Sequence, residues 1–153
     1  MGMKERKPAR ECALFLLEYS DRTEQEMRGK LTEREYLPDE IDEAINFLKE
    51  YRYIDDAEYA KRYIRVYSAR KSARLLRVEL ERRGVDRELI ALALEAEPVD
   101  EEEQLRLLLQ KKGYQPGQRM EPAAYRKLTA ALARKGYSYE LIRQLVNSMA
   151  EPW

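Results

Sequence analysis

Three carboxylates fall within four residues at Asp55, Asp56 and Glu58. Oxygen donors this close could hold a divalent cation, as in two-metal nucleases. The spacing also has a simpler use. Asp55 followed three residues later by Glu58 is a capping box, in which both side chains satisfy free amides at a helix start. Capping accounts for Asp55 and Glu58 completely. Asp100 with Glu103 reads the same way, because the helix dipole favours acidic side chains at an N-terminus. The 153 residues include no histidine. That removes the commonest general base and a common metal ligand. Cys–His and Ser–His–Asp sites are therefore excluded. The six glycines are scattered, so no glycine-rich phosphate loop exists. The expectation is a non-enzyme without catalytic residues, metal or cofactor.

Basic residues offer a second chemistry. Arg62 and Arg65 fall on the outer face of a predicted helix. Arg70, Lys71, Arg74 and Arg77 follow, with Arg70, Arg74 and Arg77 spaced as one stripe, and Arg82 and Arg83 lie near a turn. Such a set suits phosphate contacts. Tyrosines interleave with it and could stack on bases. Their spacing is more simply explained as core, with Tyr59, Tyr63 and Val66 on one apolar seam. A second basic set comprises Lys111, Lys112, Arg119, Arg126, Lys127, Arg134, Lys135 and Arg143.

Net charge is zero, but its distribution is not flat. Residues 20–60 hold 6 basic and 13 acidic side chains, a net of −7. The next blocks, 61–87, 88–103 and 104–143, carry +7, −7 and +7. Local density decides what a surface attracts, so a neutral chain can still present basic stripes. The competing reading is that neighbouring blocks pair with one another. The single cysteine, Cys12, lies on an apolar stretch and reads as a buried thiol, which fits a reducing cytoplasm. No run approaches the roughly 18 apolar residues of a membrane span.

The elements that must position these residues read as helices throughout. Apolar periodicity, capping residues and proline positions predict helices over 9–19, 24–35, 38–51, 56–70, 72–83, 86–96, 100–112, 122–135 and 138–149. Cys12, Phe15, Leu16 and Tyr19 supply the helical spacing of the first. Residues 1–8 read as a disordered basic start, and Pro98 and the Pro116–Gly117 loop as hinges. The fold class is all-α.

One pattern occurs three times. Leu76, Leu80, Arg83, Gly84, Val85, Asp86 and Ile90 run through a helix-turn-helix corner, in which glycine takes the left-handed conformation after a helix end. Leu128, Leu132, Lys135, Gly136, Tyr137, Glu140 and Ile142 repeat it downstream. Met27, Leu31, Arg34, Glu35, Tyr36, Asp39 and Ile41 repeat it upstream. A period of about fifty residues divides the chain into three three-helix repeats, at 9–54, 55–97 and 98–150.

Three segments carry a resemblance: YIDDAEYAKRYI, RLLRVELERRGVDRELIALAL and KLTAALARKGYSYELIRQL. With Asp55-Asp56, Arg83-Gly84-Val85 and Gly136-Tyr137-Ser138-Tyr139-Glu140-Leu141-Ile142 in this order, the chain resembles the RecX family of bacterial recombinase regulators over nearly its full length. It departs from the family at Lys71-Ser72, where a glycine is usual, and at Glu35. The resemblance implies three tandem three-helix repeats in an elongated, curved array. It implies a cytoplasmic monomer that binds the RecA–DNA filament, touching DNA within that complex, and inhibits recombinase, ATPase and coprotease activities. The basic residues of repeats two and three would then face the filament or its DNA. A stand-alone helix-turn-helix-like DNA-binding protein is the alternative, and a metal nuclease using Asp55, Asp56 and Glu58 a third.

Overall fold

The computed structural model describes residues 6–115 and 119–149. Its described residues form helices α1 (Ala9–Tyr19), α2 (Glu24–Glu33), α3 (Pro38–Glu50), α4 (Asp56–Tyr67), α5 (Ala73–Arg82), α6 (Arg87–Ala96), α7 (Glu101–Lys111), α8 (Pro122–Arg134) and α9 (Tyr139–Met149). No strand occurs among them. The all-α expectation holds. The predicted hinge at Pro116–Gly117 lies outside the described residues.

The starts of these helices follow from local chemistry. Thr23 Oγ1 accepts from the Glu26 amide at 3.1 Å, while Glu26 Oε1 accepts from the Thr23 amide at 3.0 Å. This reciprocal box satisfies two donors that helix geometry leaves free. Asp55, Ser72, Asp100 and Ser138 each accept from the amide three residues on, at 3.0–3.2 Å.

Three helix ends at equivalent repeat positions share one backbone motif, which α3 and α7 also use at Arg52–Tyr53 and Gly113–Tyr114. Tyr36, Val85 and Tyr137 donate their amides to the carbonyls of Leu31, Leu80 and Leu132, five residues back. Glu35, Gly84 and Gly136 close the inner bond, with φ of 66°, 90° and 102°. This is the Schellman arrangement, and it recurs at the three positions that the repeat pattern aligned. Glu35 adopts the left-handed turn without being glycine.

Several expectations needed correction. Helix α2 stops at Glu33, because the left-handed turn already begins there. Helix α4 stops at Tyr67, not at 70, and residues 68–72 form a turn. Val66 is 65% exposed, so it does not join Tyr59 on a core seam. On α1 the buried residues are Ala9, Cys12, Ala13 and Leu16, while Phe15 and Tyr19 face solvent. Alanine fits where α1 lies close to its neighbours, and the larger rings on adjacent positions turn outward. Residues 6–8, expected to be disordered, are held: the Tyr36 hydroxyl donates to the Lys7 carbonyl at 2.7 Å.

The described residues form two compact units, one within 6–63 and 80–93, the other within 64–79 and 94–149. In the first, Met27, Leu31, Ile45 and Leu48 are fully buried among α1–α3. In the second, Leu105, Leu109, Leu132 and Ile142 are the fully buried centre of α7–α9. Each such side chain contributes about 1.5–3 kcal/mol by leaving water.

Candidate functional site

Helix α5 and the end of α8 build the site in the 64–79 and 94–153 unit. Ser72 starts α5 and is 1% exposed. Its Oγ accepts from the Leu75 amide at 3.1 Å and donates to the Lys135 carbonyl at 2.9 Å. A Cβ on Gly136 would sit 2.3 Å from that Oγ. Only glycine therefore lets the turn after α8 close onto the start of α5. The Glu101 carboxylate completes the joint by accepting from the Ala73 backbone, and burial pushes its pKa up.

A buried polar network supports the joint. The Tyr137 hydroxyl donates to Gln104 Oε1 at 2.7 Å. Gln104 Nε2 donates to the carbonyls of Ser68 and, at 2.8 Å, Lys71. Every polar atom of the Gln104 amide is thereby engaged, as burial at 6% exposure requires. Burial, assisted by the Glu101 charge, pushes the Tyr137 pKa up to about 12.

Two hollows flank this joint. The larger, about 570 Å³, is lined by Arg74, Leu75 and Val78 of α5, by Ala130, Ala133 and Arg134 of α8, and by Lys135, Gly136 and Tyr139. The smaller, about 280 Å³, is lined by Ala69, Arg70, Gln104, Leu107, Leu108, Lys111, Lys135 and Tyr137. Lys135 borders both. Among the described residues no carboxylate lines either one. Five of the expected binding residues, Arg70, Arg74, Lys111, Arg134 and Lys135, therefore meet around one joint. The arrangement can receive phosphate or carboxylate groups, with exposed Tyr139 at hand for stacking.

The other expected residues are placed differently. Arg62 Nε donates to Asp21 Oδ2 at 3.1 Å. Arg65 Nε pairs with Glu97 at 2.6 Å, and Lys71 Nζ with Glu79 at 2.7 Å. These three answer acidic groups of the chain itself. The single stripe through Arg70, Arg74 and Arg77 is corrected. Arg70 sits in the turn before α5, its guanidinium 5.5 Å from the Tyr67 ring centre. Arg77 shares α5 with Arg74 and feels the Glu101 charge. Arg82 ends α5 in the other unit, and Lys112 follows α7. Arg119 lies between α7 and α8, Arg126 and Lys127 on α8, and Arg143 on α9, all exposed.

The acidic cluster is occupied by structural contacts. Asp55 caps α4 through the Glu58 amide, and Glu58 reaches Lys61 at 3.5 Å. Asp56 Oδ1 accepts from the Glu24 amide at 2.9 Å. Among the described residues no three acidic or thiol groups are placed to hold a metal.

Comparison with known proteins gives three matches along the chain. Residues 9–48 match the family model "RecX, first three-helix domain", residues 55–94 "RecX, second three-helix domain" and residues 100–146 "RecX, third three-helix domain". Regulatory protein RecX of Clostridium botulinum (strain Eklund 17B / Type B) is 31% identical over 140 residues, covering 90% of this chain and 66% of that protein. Regulatory protein RecX of Vibrio campbellii is 32% identical over 136 residues, covering 88% of this chain and 86% of that protein. The chain thus spans about two thirds of the clostridial relative's length. The crystal structure of RecX from Lactobacillus salivarius superposes with a TM-score of 0.76 at 24% identity, covering 91% and 92% of the two chains. At that identity the likeness speaks for the fold.

Proposed function

We propose a function from one premise: this chain belongs to the RecX family of regulatory proteins. In this reading it is a cytoplasmic, non-enzymatic regulator built as three repeats, 9–54, 55–97 and 98–150. It binds the filament that RecA forms on DNA and lowers recombinase, ATPase and coprotease activity. The resemblance supplies the partner, and the chemistry of the surface supplies the face.

The observation that carries the reading is the pair of carboxylate-free hollows joined at Lys135. Cations held near a rigid joint lose little further freedom when they meet an anionic surface. Arg74 and Arg134 come from different helices and converge on the larger hollow, so both contribute to one contact.

The test is RecA's single-stranded-DNA-dependent ATP hydrolysis with the protein added. Arg74→Glu combined with Arg134→Glu reduces inhibition by about tenfold or more, equivalent to about 1.4 kcal/mol. Arg62→Gln with Arg65→Gln leaves inhibition within about twofold, because those side chains already serve internal pairs. Full inhibition by the folded Arg74→Glu/Arg134→Glu protein would remove the hollows from the interface.

A further inference from the structure

The three left-handed turns that the repeat pattern aligns match in sequence and differ in what covers them. At the second, Thr23 Oγ1 donates to the Arg83 carbonyl at 2.6 Å, and a Cβ on Gly84 would meet Gln25 at 2.0 Å. At the third, Ser72 Oγ donates to the Lys135 carbonyl. A packed helix start covers both turns. The matching carbonyl of the first turn belongs to Arg34, and its donor is the Arg6 guanidinium. Arg6 also lies over the Tyr36 ring, 4.7 Å from its centre. Lys7 takes the Tyr36 hydroxyl on its carbonyl and holds its ammonium 5.1 Å from the Phe15 ring centre. Two consecutive cations thus stand where the two other aligned turns have a helix start.

We propose that the Arg34–Tyr36 turn and the Phe15 ring form a docking face for a lysine- or arginine-bearing protein segment, with Arg6 and Lys7 as its occupant in cis. The face offers a carbonyl and two ring faces, all of which attract cations. Residues 20–60 carry a net charge of −7, which favours a basic partner and disfavours a polyanion. A partner segment docks by displacing Arg6 and Lys7. Because a tethered occupant competes at a high effective concentration, the strap sets a threshold for docking. This face is separate from the cationic hollows and does not depend on the function proposed for them.

The experiment is an NMR titration of the full chain with a synthetic peptide of residues 1–8, MGMKERKP. The Tyr36 and Phe15 ring resonances and the Arg6 side-chain resonance are followed. The Arg6→Ala/Lys7→Ala protein responds and saturates, while the unaltered protein needs at least tenfold more peptide. The same peptide with both cations of the Arg-Lys pair replaced by glutamine produces no shift. Equal titration of the two proteins, no response from the variant, or equal binding of the neutral peptide overturns the proposal. The unaltered protein provides a second readout if the variant is unfolded. Excess peptide must move the Arg6 resonance to its free value, and ring shifts with Arg6 unmoved overturn displacement.

Discussion

Ser72 caps α5 and grips the turn after α8 with one hydroxyl. Replacing it with alanine removes both bonds and leaves the half-buried Lys135 carbonyl without this donor. Ser72→Ala should cost about 1–2 kcal/mol in urea unfolding, and Ser72→Thr should retain most of that. Gly136→Ala is harsher, because φ is 102° and the added carbon meets Ser72 Oγ. A loss of about 2–4 kcal/mol is expected in the same assay. Tyr137 gives a pH signature. Burial raises its folded pKa to about 12, from an ordinary value of 10.0. The raised value favours the neutral phenol, so its contribution is complete below about pH 10 and is lost as pH rises from there toward 12. The melting temperature of the Tyr137→Phe protein should therefore fall less over that range than that of the unaltered protein. The helix start at Ser72 was legible in the sequence, because such starts are marked locally. Its grip on a carbonyl 63 residues away was not, because long-range docking leaves no local spacing.

At the scale of elements, helix starts were legible because hydroxyl and carboxylate caps mark them. Helix ends were read too long at α2 and α4, where periodicity continued past the turn. Facing was misjudged where apolar spacing suggested burial, as at Phe15, Tyr19 and Val66. The acidic residue that opens α4 acts on a neighbouring helix. Asp56 accepts from the first amide of α2, and burial pushes its carboxyl pKa up while the Glu24 amide opposes this. A carboxyl raised in the folded state contributes most below its unfolded pKa and loses that contribution as pH rises. Asp56→Asn keeps the acceptor without the charge, so at pH 7 it should match or exceed the original stability. Asp56→Ala should lose about 1 kcal/mol. Thermal melts at pH 4 and pH 7 check this: the Asp protein should gain on the Asn variant as pH falls.

At the scale of the whole molecule, the alternating charge blocks divide between two uses. Arg62 with Asp21 and Arg65 with Glu97 join blocks of opposite sign. Arg70, Arg74, Lys111, Arg134 and Lys135 border hollows without a carboxylate. Charge counts along the chain predicted both kinds of cation and could not separate them, because pairing depends on which helices meet. The repeat pattern and the family were legible, since three turns recur in order. The central claim is that this surface recognises a RecA filament. The most direct measurement is co-sedimentation of the protein with RecA assembled on single-stranded DNA, beside the same DNA alone. The account predicts at least tenfold more protein pelleting with the filament, reduced by Arg74→Glu/Arg134→Glu. Protein left in the supernatant, or pelleting equally with naked DNA, would contradict it.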